Sequence, residues 1–453
     1  MTQDVVGAGE PTSVVEPSLK EADRRRIRRV AFASFIGTLV EFYDFVIYST
    51  AAALVFPHVF FPALGTAAGT VASFATFGVA FFARPFGSIL FGHFGDRLGR
   101  KRTLIATLLL MGIATGVVGL IPTAAQIGVI APIVIVVLRV LQGLAAGGEW
   151  AGAVLFASEN APKEKRGIWS VIPLLGTCFA IILANATFLV TGLLMSDETF
   201  LTWGWRVPFI ASIALVAIGL WVRLTIDETP VFKSETSRHG TSRVPFVEAF
   251  RNQPKAIFLA AGMEVTAIAL SYVAGPYMVS YGTAELGLSR TFVLIIAIVG
   301  GIVLMGATFF GAWISDRIGR RRTVIIGVSI GMVWSLALFP ILETNSRLAF
   351  SLAIPITMFI AGVANGPVGA YVSELFKTRY RYTAAGFSYS FAGILGGAIP
   401  PLVGAALVAR FDLGGVIFGF FVAGLCVLSL LCVLALGETK ESDLNEPAEA
   451  TIA

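Results

Sequence analysis

The sequence predicts an all-α membrane protein of twelve transmembrane helices in two six-helix halves. Three observations carry that expectation. The 453-residue chain is 56% hydrophobic and only 13% charged, its mean hydropathy is +0.83, and long apolar runs recur from end to end, as lipid-spanning helices require. Of its 33 lysines and arginines, 27 fall in short clusters between or beyond alternate runs, the asymmetry expected when basic loops stay on one side of a bilayer. Finally, one charged phrase is written twice, GDRLGRKRT at 95–103 and SDRIGRRRT at 315–323.

Taken in order, the apolar runs place helices at about 30–57, 66–91, 103–122, 127–158, 168–195, 206–225, 254–284, 289–313, 323–342, 346–373, 383–409 and 413–437. Residues 1–29 form a polar tail without the apolar core of a cleavable secretory signal, ending in RRRIRR, Arg24 to Arg29, which should hold it in the cytoplasm. The six-helix stretch 30–225 is followed by the polar, basic linker 226–253, then a second six-helix stretch 254–437 and a tail 438–453. An even number of spans puts both termini and the linker on the cytoplasmic side of a cell inner or plasma membrane.

The repeated phrase falls between helices 2 and 3 and again between helices 8 and 9, the same place in each half. A second echo, SENAPKEKRG from Ser158 and SELFKTRYR from Ser373, follows the fourth helix of each half. The chain is therefore an internal duplication, and parallel repeats of this kind are a transporter architecture.

Other function classes find no support. Cys178, Cys426 and Cys432 lie inside apolar runs without metal spacing, and His58, His93 and His239 are scattered, so neither a disulfide framework nor a metal site is expected. No nucleophile–base motif or cofactor fingerprint marks an enzyme. The basic pI of about 9.2 follows from charge on one membrane face and calls for no nucleic acid. The expected partners are a small-molecule substrate, protons and the lipid bilayer, with the chain acting as a monomer and without a cofactor.

Ionisable groups inside a bilayer are costly and point to function. Glu41 and Asp44 stand at i and i+3, on one face of helix 1, where two acids in low dielectric are candidates to carry a proton. At about 1.5 Å per residue, Asp44 and Arg139 lie roughly 22–24 Å from the basic ends of helices 1 and 4, and Arg84 and Glu149 at roughly 9–12 Å. This predicts Arg139 near the Glu41/Asp44 face and Arg84 near Glu149. Glu264 stands alone on helix 7, without an assigned role. Tyr43, Tyr48, Gln142, Trp150, Tyr272, Tyr277, Asn365 and Tyr389 are candidates to line a cavity, packing being the alternative for each. Glycines in GLAAGG and GILGG suit close helix contact.

These motifs resemble the major facilitator superfamily. GHFGDRLGRKR, Gly92 to Arg102, fits the signature between its second and third helices, SDRIGRRR keeps the core of the second copy, and RVLQGLAAGGEWAGA, Arg139 to Ala153, fits its fourth helix. GTLVEFYDF, FATFGVAFFARPFGSILFGHFGDRLGRKR and DETFLTWGWRVPF resemble the metabolite:proton symporters, most of all the shikimate permeases. Helix 5 lacks the Gly-Pro-rich pattern of efflux antiporters, which disfavours drug export. The resemblance implies a major facilitator fold and a latch between the halves, for which Asp96, Arg97, Arg100, Asp316, Arg317 and Arg320 are the candidates. It points to proton-coupled import of a small carboxylated metabolite; in the reading from the buried charges, Arg139 binds the carboxylate and Glu41/Asp44 carry the proton. Osmolyte uptake is the alternative, with drug efflux or a non-transporting sensor behind it.

Overall fold

The computed structural model describes the backbone of residues 17–98, 100–147, 149–159, 161, 163–225, 245–377 and 380–442, with the side chains of 17–31, 92–101 and a few single positions excepted. The side chains of Asp96, Arg97 and Arg100, and most of the linker and of both tails, lie outside the described residues. Everything else is helical bundle. The spans are α1 (Pro17–Leu54), α2 (Gly65–Leu98), α3 (Arg100–Val118), α4 (Ile130–Glu159), α5 (Ile172–Leu193), α6 (Val207–Thr225), α7 (Pro254–Ala284), α8 (Arg290–Ile318), α9 (Arg320–Leu342), α10 (Arg347–Leu375), α11 (Arg381–Arg410) and α12 (Gly414–Ala435). Among the described residues eleven helices are long and apolar enough to cross a membrane, and α3 adds the shorter apolar stretch Ile105–Val118.

The duplication seen in the sequence is reproduced in the packing. In the first half α1 packs on α5, α2 on α4 and α3 on α6; in the second, α7 packs on α11, α8 on α10 and α9 on α12. The halves meet through α5 against α8 and α2 against α11, equivalent pairs again. Small residues set the spacing: a Cβ on Gly143 of α4 would land on the Ala80 carbonyl of α2, and one on Gly366 of α10 would land on Thr308 of α8.

The second charged phrase is not an open loop. α8 runs through Asp316 to Ile318, and α9 starts at Arg320; only Gly319 separates them, at φ +105°. That left-handed conformation suits glycine, and it turns the chain within one residue. Two helices of the second half are broken where they face the centre. In α7 a π-helical turn spans Val273–Tyr277 with Gly275 out of helical geometry before Pro276, and in α11 another spans Ile394–Ala398 before Pro400 and Pro401. Such bulges loosen the backbone ladder and let a helix bend.

Candidate functional site

Glu41 and Asp44 are each 1% exposed, yet they have separate partners. Arg84 of α2 stands 3.9 Å from Glu41, its guanidinium 4.1 Å from the Phe45 ring centroid and 4.9 Å from that of Phe81. Asp44 accepts a 2.8 Å hydrogen bond from Thr115 of α3. Thr115 accepts one from Gln142 at 2.7 Å, and Gln142 in turn accepts one from Arg139 at 3.0 Å. Arg139 therefore reaches Asp44 through two side chains. It also donates to the Phe77 carbonyl at 3.2 Å and is caged by the rings of Tyr48, Phe45 and Phe77, at 4.0, 4.8 and 5.3 Å. Aromatic faces favour a cation where no water remains to solvate it.

Arg84 does not join Glu149. Glu149 is ion-paired with Arg223, whose long side chain reaches inward from the last turn of α6. Trp150, one residue on, stacks on Tyr389 of α11 with centroids 3.8 Å apart, joining the two halves. Tyr43 donates to Thr187 and to the Pro208 carbonyl, and Tyr48 bonds Thr76; both serve packing of the first half here.

A cavity of about 70 Å³ lies between the halves, room for several waters. Its polar lining includes Ser49, Thr50, Asn185, Ser271, Asn365 and Tyr389, and Tyr272 forms part of its wall. Among the described residues the wall is uncharged. Of the residues singled out in the sequence, Tyr272, Asn365 and Tyr389 line it; Arg139, Tyr43, Tyr48, Gln142 and Trp150 do not. Sequence reasoning missed Asn185, which is 3% exposed; its amide donates to the Ile181 carbonyl and its Oδ1 has no partner. The one sequence signal was an amide in an otherwise apolar helix. Thr115 was missed too, since a lone threonine in a span carries no signature.

The end of the bundle bearing the repeated phrase is bolted shut between the halves. Asp316 accepts the backbone N–H groups of Gly167 and Ile168 at 2.9 and 3.1 Å, in the first turn of the short helix Arg166–Ser170. Arg320 bridges Asp316 at 2.6 Å and Glu374 at 3.4 Å. Arg166 meets Glu374 at 3.0 Å, and Arg381 meets Glu159 at 3.1 Å. Glu438 accepts from the N–H groups of Arg320 and Arg321, capping α9. Arg317 is exposed and lies over the Trp313 ring instead. At the opposite end Arg290 of the second half pairs with Asp197 of the first at 2.8 Å and lies over the Phe200 ring. A cavity of about 360 Å³ opens there among Thr66, Phe74, Tyr277, Tyr281 and Glu285.

The profile of the Major Facilitator Superfamily matches residues 34–401. The chain belongs to the major facilitator superfamily. It is 40% identical to the inner membrane metabolite transport protein YhjE of Escherichia coli, over 92% of this chain and 95% of that one. It is 37% identical to the shikimate transporter of the same organism, over 92% and 96%, and 28% identical to the E. coli proline/betaine transporter, over 93% and 86%. The proton:xylose symporter XylE has the same fold, with a TM-score of 0.73 at 18% identity over 94% of this chain and 98% of that one. As a member of this family the protein is a multi-pass membrane transporter of small metabolites, not an enzyme.

Proposed function

We propose that the protein is a proton-coupled symporter importing a small carboxylated metabolite, shikimate-like or a di- or tricarboxylate, by alternating access. The observation that carries this reading is the buried chain from Asp44 through Thr115 and Gln142 to Arg139. It ties an acid able to carry a proton to a cation able to attract a carboxylate. Tyr272 lines the cavity and packs on Phe77 at 5.6 Å, and Phe77 in turn packs on Arg139, so a bound carboxylate stands two aromatic rings from Arg139. Drawing Arg139 toward the substrate loosens Gln142 and Thr115 and leaves Asp44 uncompensated, which favours its protonated form. Substrate and proton then raise each other's affinity.

In this reading the basic end faces the cytoplasm, because most lysines and arginines cluster there, and substrate arrives through the opposite cavity. The stretches 30–225 and 254–437 rock against each other about the central cavity, joined by the linker 226–253, in a monomer with both termini cytoplasmic. Likeness to proline/betaine transporters and the tyrosines in the cavity wall favour a second reading, osmolyte uptake, in which rings cradle an ammonium. Uptake into proteoliposomes with a panel of organic acids, with and without an imposed pH gradient, tests the first reading. Gradient-driven accumulation of an acid is expected. Counterflow carried by betaine and not by shikimate would favour the second.

A further inference from the structure

Glu264 is used by none of these arrangements. It lies on α7, 1% exposed, and neither carboxyl oxygen has a hydrogen-bond partner among the described residues. Helical geometry puts Ala267, Ile268, Ser271 and Gly275, all cavity-lining, three, four, seven and eleven residues further along one face. Glu264 is thus the next step of that stripe, a turn below the cavity toward the basic end.

Of the elements packed against α7, α11 and α12 bring neutral groups near Glu264. Tyr389 comes from α11 and lies within electrostatic reach of Glu264, and also of Glu41 and Arg84 across the interface. From α12 come Cys426, near Thr266, and Cys432, against Gly262. Ser429 is occupied, donating to the Gly262 carbonyl and accepting from the N–H of Thr266. No arginine or lysine among the described residues forms an ion pair with Glu264. An ionised carboxylate so placed would cost several kcal/mol, whereas a neutral acid would not. Tyr389, within electrostatic reach of Glu264, stacks on Trp150 of the first half, a contact that must part if the halves separate at the basic end.

Resting on the proton-coupled reading above, we infer that Glu264 is a second proton carrier, in the second half. It holds its proton while the basic end is closed and gives it up to water on that side when Trp150 leaves Tyr389. One O–H bond breaks, the proton passes to water, and the carboxylate is reprotonated from the other side once the bundle closes again.

The test uses the full chain and the isosteric variant Glu264→Gln. In infrared spectra of the purified protein near neutral pH, wild type should show a protonated-carboxyl band that Glu264→Gln lacks. In proteoliposomes with the membrane potential clamped, losing one of two coupled protons should lower the steady accumulation ratio about tenfold at a one-unit pH gradient, with counterflow retained. An unchanged carboxyl spectrum, or an unchanged accumulation ratio, overturns the inference. If wild type itself ignores the pH gradient, the proton-coupled reading fails instead, and the infrared band still decides whether Glu264 holds a proton.

Discussion

Arg166 of the first half reaches Glu374 of the second at 3.0 Å, while Arg381 of the second reaches Glu159 of the first at 3.1 Å. In each copy of the motif after the fourth helix, glutamate and arginine are seven residues apart. Each copy takes its partner from the other. The exchange closes the basic end with charges that are mostly buried, where breaking one partner leaves an uncompensated ion. Arg166→Ala should therefore open that end and cut transport at least tenfold; at the second pair, Arg381→Glu alone should impair transport and the exchange Arg381→Glu with Glu159→Arg should recover part of it. Spin-label distances across the basic end check this; unchanged distances in Arg166→Ala would show that Asp316 and Arg320 suffice.

The relay to Asp44 makes a graded prediction. Thr115→Val removes the hydrogen bond donated to Asp44, and Gln142→Leu cuts the link to Arg139. Both should weaken gradient-driven accumulation without abolishing substrate exchange, with Gln142→Leu the stronger because it also leaves the buried Arg139 short of an acceptor, at about 1–3 kcal/mol. Paired measurements of accumulation and counterflow decide; equal losses in both would mean a packing role only.

Most of the fold was legible from the sequence, and most of the site's pairing was not. Hydropathy and basic clusters place spans because lipid imposes both. The repeated phrase announces two halves. Depth along straight helices put Arg84 level with Glu149, but depth says nothing of lateral neighbours. α6 brings Arg223 to Glu149 from its own end, and α2 gives Arg84 to Glu41. Arg139 and Asp44 share a level as expected, but Gln142 and Thr115 stand between them. The echo after the fourth helix was visible, yet its exchange between halves depends on how they face each other.

Asn185 should set affinity. Its Oδ1 is unpartnered in the wall of the cavity, so a substrate hydroxyl or amine can donate to it. Asn185→Leu should raise KM about five- to tenfold with little change in maximal rate, in line with a lost hydrogen bond of about 1–1.5 kcal/mol, and Asn185→Gln should recover part. A fall in rate at constant KM would place Asn185 outside the substrate's contacts.

Helix contacts give a stability control. Gly143→Val would drive its side chain into the Ala80 backbone, whereas Gly306 has nothing within 4 Å of an added Cβ. Gly143→Val should lose folded protein in thermal melts, while Gly306→Ala should be neutral or stabilising by up to about 1 kcal/mol.

Orientation can be read from two exposed acids at opposite ends, Glu164 and Glu198. In intact cells an impermeant thiol reagent should label Glu198→Cys and spare Glu164→Cys. The reverse pattern would invert the assignment of the basic end.

The most direct measurement compares wild type with Asp44→Asn in proteoliposomes given a labelled organic acid such as shikimate outside. With an inward proton gradient, wild type should accumulate the acid above its external concentration and lose that excess when the gradient collapses. Asp44→Asn should equilibrate the acid by counterflow and never concentrate it. Accumulation by Asp44→Asn to the wild-type level under the same gradient would contradict the account.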